Sequence, residues 1–212
     1  MEPSFWHERW SKGQTGFHQE RVHPNLLEHA AIFLGGGPHR VLVPLCGKSW
    51  DLDWLARRGH QVVGVELSEL AVKQLHDDHG RVPEVSQEGP FTAYRSPNLT
   101  VLVGDVFDLP THVGVGAFDR VWDRASMVAL PPPMRARYVE GIRSVGAGGK
   151  LLLNTLTYDP TVMSGPPFSV EPAEVVGSYP GVELLQRVDE VPPPFRARGH
   201  QRFEERVWLA PL

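Results

Sequence analysis

A carboxylate at Glu66 stands nineteen positions beyond Gly47, which lies in the run Leu45-Cys46-Gly47-Lys48-Ser49. An acid about 20 positions after a glycine turn is placed to accept hydrogen bonds from both hydroxyls of a ribose, provided that strand, helix and strand lie in register between them. Further on, Gly104-Asp105-Val106-Phe107 sets a second carboxylate beside an apolar pair. That combination suits adenine, the acid receiving the exocyclic amine and the apolar side chains covering the ring. Asp123-Arg124 adds a charge pair, and the Arg124 guanidinium can grip a carboxylate. Taken singly, a carboxylate in such a place is more often a helix cap or a solvated turn.

The elements between these residues decide the matter. Val41 to Leu45 is an apolar run bounded by Gly35-Gly36-Gly37-Pro38 and Cys46-Gly47, which reads as a buried strand. Ser49 to Arg58 has helical spacing and stops at Gly59, and Val62 to Leu67 is a second strand. Ser68 caps a helix through about His79; Leu99 to Val103, after a loop holding Pro90 and Pro97, is a third strand, and Phe118 to Trp122 a fourth. Pro131-Pro132-Pro133 opens a helix with Met134, Tyr138, Ile142 and Val145 on one face, and Leu151 to Leu156 is a fifth strand. A short helix near Ala173 to Ser178 precedes two strand candidates, Val182 to Val191 and Arg202 to Leu209, joined too tightly for a crossover and therefore antiparallel. Prolines also cluster at Pro166-Pro167 and Pro192 to Pro194, both read as loops.

The expected fold is α/β, doubly wound and Rossmann-like. It has a mostly parallel seven-stranded sheet, an antiparallel C-terminal strand, flanking helices and an aromatic-rich lid over residues 1–34. Glycine turn, acid, Gly-Asp and Asp-Arg then all fall at the carboxyl edge of one sheet, where open α/β sheets bind ligands. A dinucleotide fingerprint needs three spaced glycines to admit a pyrophosphate, and only Gly47 is present. S-adenosyl-L-methionine has no pyrophosphate and removes that requirement.

A length of 212 residues, 41% hydrophobic and 22% charged, describes one ordinary globular domain, 1–212. The formal charge of −4 offers no basic footprint for nucleic acid. No apolar run reaches the roughly 20 residues of a membrane span, and Met1 to Trp10 lacks a signal-peptide pattern. The single Cys46 excludes an intramolecular disulfide, in keeping with a cytoplasmic protein. The expected partner is a small molecule and the expected state a monomer.

The chain also resembles the thiopurine S-methyltransferases, whose bacterial members include enzymes associated with selenium and tellurium methylation. The matching motifs are Phe5-Trp6 to Trp10, Gly16-Phe17-His18, His23-Pro24, Val43-Pro44-Leu45-Cys46-Gly47-Lys48-Ser49, Gly59-His60, Val63 to Ser68, Asp105 to Leu109, Trp122-Asp123-Arg124, Tyr158-Asp159-Pro160 and Gly165 to Phe168. The resemblance implies cofactor contacts at Trp10, Leu45, Glu66, Asp105, Val106 and Arg124, beside the Gly47 read from the turn. It implies acceptor contacts at Phe17, Arg124, Pro167 and Phe168. The implied acceptors are thiopurine-like or aryl thiols and selenium or tellurium compounds. The related alternatives are a halide or other small-molecule methyltransferase and a non-catalytic cofactor-binding or metal-sensing protein.

Methyl transfer from a sulfonium is an in-line displacement in which proximity and orientation are the main levers. A soft, ionised nucleophile needs no strong base, so no catalytic residue is assigned. Trp10 and Phe17 are read as a lid that excludes water, and Phe5 and Trp6 as core at the sheet edge. His18 and Asp123 are the candidates if a proton must move. His76 and His79, around Asp77-Asp78, have a spacing that can bind metal but read as a solvated helix face, so no metal is expected. Cys46 is a small loop residue, and Lys48 either steers an anion or lies on the surface.

Overall fold

A computed structural model describes residues 3–212; Met1 and Glu2, the first positions of the expected lid, lie outside the described residues, as does the side chain of Pro194. Helices α1 (Pro3–Ser11) and α2 (Pro24–Leu34) precede strand β1 (Arg40–Val43). There follow α3 (Trp50–Arg57), β2 (Gln61–Glu66), α4 (Glu69–Asp78), β3 (Glu84–Glu88), β4 (Phe91–Ser96), β5 (Leu99–Val103) and α5 (Leu109–Val113). The chain continues through β6 (Arg120–Arg124), α6 (Pro132–Val145), β7 (Lys150–Tyr158), α7 (Pro172–Ser178), β8 (Glu183–Asp189), α8 (Pro193–Arg196) and β9 (Phe203–Pro211).

The strands form one sheet in the order β3-β4-β5-β2-β1-β6-β7-β9-β8. Its central five, β5-β2-β1-β6-β7, are all parallel, so their carboxyl ends share one edge. The chain winds outward from β1 to β2 and β5, then returns to β6 and β7. The switch point therefore lies between β1 and β6, the place where such sheets open a crevice for ligands.

Side chains alternate between two cores. Val41 and Val43 of β1 pack with Phe33, Leu52, Leu55, Val72 and Leu75 from α2, α3 and α4, while Leu42 between them faces Tyr138, Ile142 and Val145 of α6. Leu152 and its neighbours Leu151 and Leu153 divide in the same way on β7. This two-residue period buries both faces of the central strands, which is why they read as continuous apolar runs. Ser49 and Ser68 cap α3 and α4 through their hydroxyls, accepting from Asp51 N at 3.2 Å and Ala71 N at 3.4 Å.

The fold class is as expected, with β9 pairing antiparallel to β7 and β8. The strand count is corrected from seven to nine among the described residues, because β3 and β4 form a hairpin on the edge of β5. β3 is largely exposed, so no apolar alternation marks it, and the Gly89-Pro90 pair that reads as a loop is its two-residue turn, with Gly89 at φ 55°. The Pro192 to Pro194 run is likewise more than a loop, since α8 begins at Pro193.

One glycine shows how tightly the β1 end is fitted. A Cβ on Gly64, in the middle of β2, would lie 2.7 Å from Cys46 Sγ and 3.1 Å from Leu52 Cδ2. Overfilling a packed core costs about 1–3 kcal/mol. Gly64→Ala is expected to lower the urea midpoint by a loss in that range, and the loss should shrink in a Cys46→Ala background. Additive losses in the double variant would show that the thiol is not the constraint.

Candidate cofactor and acceptor site

The β1 strand ends in a tight turn, Pro44 to Ser49, in which Leu45 and Gly47 have φ of 45° and 52°. Among the described residues only three non-glycine residues have positive φ, and two of them, Leu45 and Ala125, follow β1 and β6 and so flank the switch point. Backbone strain of this kind costs of order 1–3 kcal/mol and persists where surrounding contacts over-determine it.

Those contacts are visible. Glu66, at the end of β2 and 7% exposed, accepts Gly47 N at 2.9 Å with one carboxylate oxygen and Ser68 N at 2.8 Å with the other. Its own carbonyl accepts Gly104 N at 2.9 Å. One residue thus joins the β1 turn, the start of α4 and the end of β5. Burial pushes its carboxyl above the usual range, against the pull of the Ser68, Gly47 and Leu67 amides. Each carboxylate oxygen has a second lone pair, so two further donors can be accepted.

Glu66 opens into a cleft lined also by Leu45, Leu67, Asp105, Val106 and Phe107, with Pro3 and Trp6 of α1 across it. Asp105 caps the short 3-10 turn Val106–Asp108, accepting Phe107 N at 3.0 Å. The residues fit an adenosyl group: a buried carboxylate with free lone pairs for two hydroxyls, an acid at the far end, and apolar walls between them. Leu130 and Met134 line the same cleft. Leu130 directly follows the 3-10 turn Met127–Ala129 after β6, where no periodicity announces it, and Met134 lies in the first turn of α6 on the face read from the sequence. Trp6, read from sequence as core, is a cleft wall instead, and its ring meets Phe17 edge-on at 5.8 Å.

Trp10 is buried against the β1 turn, with Gly47 so close that a Cβ there would lie 3.0 Å from the indole. Trp10 and Phe17 are also edge-to-face at 5.7 Å. Arg124, from the end of β6, donates through Nη1 to the Phe17 carbonyl at 3.0 Å and so ties this aromatic group to the sheet. Burial lowers Arg124 from its usual value while the charges of Asp51 and Glu205 oppose that shift. Both acids are committed elsewhere. Asp51 accepts His23 N and Trp122 Nε1 at 2.7 and 2.8 Å, and Glu205 accepts Asn25 and Asn154 amides at 2.7 and 2.9 Å. A guanidinium has five N–H donors, which leaves Arg124 capacity for a ligand.

Pro167 and Phe168 do not line the Glu66 cleft. Their loop reaches its neighbourhood indirectly: Phe168 N donates to the Val128 carbonyl at 2.6 Å, beside Leu130, and the Tyr158 hydroxyl donates to the Pro167 carbonyl. Asp123 proves to be an anchor rather than a free acid. Fully buried, it accepts Ser126 N, Met127 N and the Tyr138 hydroxyl at 3.1, 3.2 and 2.7 Å, and Ser126 Oγ in turn donates to the Pro44 carbonyl at 2.7 Å. Burial together with the nearby Glu66 charge raises the Cys46 thiol well above its usual value. Lys48 is paired with Asp78 at 2.8 Å. His76 bonds the Val72 carbonyl, His79 lies 3.6 Å from Asp53, and no group of three metal-ligating residues gathers among the described residues.

Comparison with known proteins places this arrangement. The family model for Thiopurine S-methyltransferase (TPMT) matches residues 1–211. A thiopurine S-methyltransferase of Pseudomonas fluorescens is 45% identical, with 98% of each chain covered. One of Xanthobacter autotrophicus is 40% identical over 99% of this chain and 98% of its own. Among solved structures, a Burkholderia thailandensis 1,6-didemethyltoxoflavin-N1-methyltransferase with bound S-adenosylhomocysteine superposes with a TM-score of 0.64 at 17% identity, covering 99% of this chain and 87% of its own. TehB from Haemophilus influenzae gives 0.63 at 15% identity, over 97% and 66%. With a whole-chain family match and relatives above 40% identity behind the fold and the strand-end geometry, this chain belongs to the thiopurine S-methyltransferase family and is an S-adenosylmethionine-dependent methyltransferase.

Proposed function

We propose that the enzyme methylates the sulfur of thiopurine-like or aryl thiols, and selenium or tellurium compounds of similar softness, in the space between the Glu66 cleft and Phe17. The observation that carries this reading is the contact of Arg124 with the Phe17 carbonyl, which brings a cation and an aromatic wall to the same point beside the cleft. The names borne by the curated relatives, thiopurine S-methyltransferases, support the thiopurine part of this reading.

S-adenosylmethionine, when bound, supplies an electrophilic methyl group on a sulfonium. In our reading Glu66 holds the ribose hydroxyls, Asp105 the adenine amine, and Leu45 and Val106 the faces of the base. Gly47 lets the backbone approach the amino-acid end of the cofactor, where Trp10 closes the site. Arg124 binds there and at an anionic acceptor, and Phe17, Pro167 and Phe168 shape the acceptor side. The segment 1–34 serves as a lid over a single domain, with Pro3, Trp6, Trp10 and Phe17 excluding water so that the nucleophile arrives desolvated and in line. A small-molecule acceptor, a monomeric state and a cytoplasmic setting complete the proposal. The acceptor and the setting rest on the charge of −4, the lone buried Cys46, and the lack among described residues of a helix long and apolar enough to cross a membrane; the monomer rests on a sequence in which no heptad or long apolar edge strand asks for a partner.

The direct test is incubation of the purified protein with labelled S-adenosylmethionine and a panel of thiopurines, aryl thiols, selenite, tellurite and iodide. Methylated thiol is the expected product; iodide as the sole acceptor, or cofactor binding with no product, would contradict the reading. The two halves of the site should also separate. Glu66→Gln removes one charge-assisted acceptor, worth about 1.5–3 kcal/mol, so S-adenosylhomocysteine affinity by calorimetry should fall roughly tenfold or more. Phe17→Ala should leave that affinity within about threefold, a shift of under 1 kcal/mol, while reducing acceptor kcat/KM more than tenfold. Identical profiles for the two variants would refute separate roles.

A further inference from the structure

Several groups near the proposed acceptor space could move a proton, and most of them are committed to other partners. Asp123, Asp51, Glu66 and Glu205 accept from the donors described above. His23 Nδ1 accepts Asn25 N at 3.3 Å, and burial, with Arg124 and Arg21, pushes that imidazole down to about 3. The Cys46 thiol is buried and held in its protonated form. His18 differs. Its Nε2 is buried and has no hydrogen-bond partner among the described residues, and the neighbouring Gln19 Oε1 is in the same condition.

Two adjacent unsatisfied groups in one segment are costly, at about 1–3 kcal/mol each. The backbone that carries them is held in place. His18 N donates to the Thr15 carbonyl at 2.8 Å, and the preceding Phe17 carbonyl is fixed by Arg124. Buried, unpaired polar atoms carried on a held backbone beside the proposed acceptor wall are suited to a ligand.

We propose that His18 is the proton acceptor for thiols that enter the site un-ionised, with Gln19 beside it available to hold the same acceptor. This rests on the acceptor class proposed above. His18 Nε2 takes the proton of the acceptor S–H while a sulfur electron pair forms the new S–CH3 bond. The methyl-to-sulfonium bond breaks, its electron pair stays on the donor sulfur, and the thioether S-adenosylhomocysteine is left. The imidazolium returns its proton to water after the product departs.

The charged groups facing His18 are Lys48 from the β1 turn, Asp78 from α4, Arg124 from β6 and Glu20 from its own segment. Burial and the two cations outweigh the two acids and lower the imidazole from its ordinary value. A lowered histidine is neutral at pH 7 and loses its capacity as a base only when the pH falls through its pKa.

The test compares an aryl thiol that is ionised at pH 7 with an alkyl thiol whose pKa is near that of cysteine, about 8.5. In His18→Gln the loss of kcat/KM for the alkyl thiol should exceed the loss for the aryl thiol by roughly 10²-fold. With the alkyl thiol, the variant's kcat/KM should rise about tenfold per pH unit up to the thiol pKa, following the thiolate fraction, whereas wild type should already be level at neutral pH and fall only on the acid side. S-adenosylhomocysteine affinity reports whether the variant is folded. Equal losses for the two thiols, or parallel pH profiles, would overturn the role of His18 and leave the acceptor class standing. Failure of the wild type to methylate either thiol would remove the acceptor class, and the role of His18 with it.

Discussion

The buried carboxylate of Glu66 is the interaction on which the rest of the site depends. Two segments distant in sequence, the β1 turn and the end of β5, and the adjoining α4 N-terminus converge on this one residue through its two oxygens and its carbonyl. Removing a carboxylate from water is expensive, and the Ser68, Gly47 and Leu67 amides offset only part of the penalty, so its carboxyl lies above the usual range. What the penalty secures is orientation. The remaining lone pairs are fixed at the mouth of the cleft before any ligand arrives, so no reorganisation is required on binding.

A second constraint acts across the switch point. Arg124 is half-buried, yet among the described residues it has no ion pair within 4.0 Å. Its charge is balanced at longer range by Asp51 and Glu205, which bind Trp122, His23, Asn25 and Asn154 instead. A guanidinium tied directly to a carboxylate would be spent. Here it is neutralised without being consumed, which suits a residue that must meet an anionic partner in a low-dielectric site. Asp123 supports the same region from beneath. Its hydrogen bonds hold the left-handed Ala125 turn, and Ser126 fastens that turn to Pro44 beyond β1.

Much of this was legible in the residues alone, for physical reasons. The central strands are buried on both faces and therefore appear as apolar runs, and Ser49 and Ser68 mark helix starts because hydroxyls cap them. The nineteen-residue step from Gly47 to Glu66 is long enough for a βαβ unit to place both at one edge. The β3-β4 hairpin was not legible, because an exposed strand carries no hydrophobic alternation. Nor was the place of Trp6 on the cleft, because in α1 Trp10 alone is buried and no apolar stripe shows which face meets the cleft. The Asp51 network joins residues 28 and 71 positions apart, a pairing that only the fold can make. Asp123 has the type and position of a proton carrier, and only its three partners reveal an anchor.

The most direct measurement is a crystal structure of the protein with S-adenosylhomocysteine. Both ribose hydroxyls are expected within hydrogen-bonding distance of Glu66, adenine against Val106 with its amine toward Asp105, and the thioether sulfur facing Phe17 and Arg124. A nucleoside bound elsewhere, or a ribose with no contact to Glu66, would contradict this arrangement.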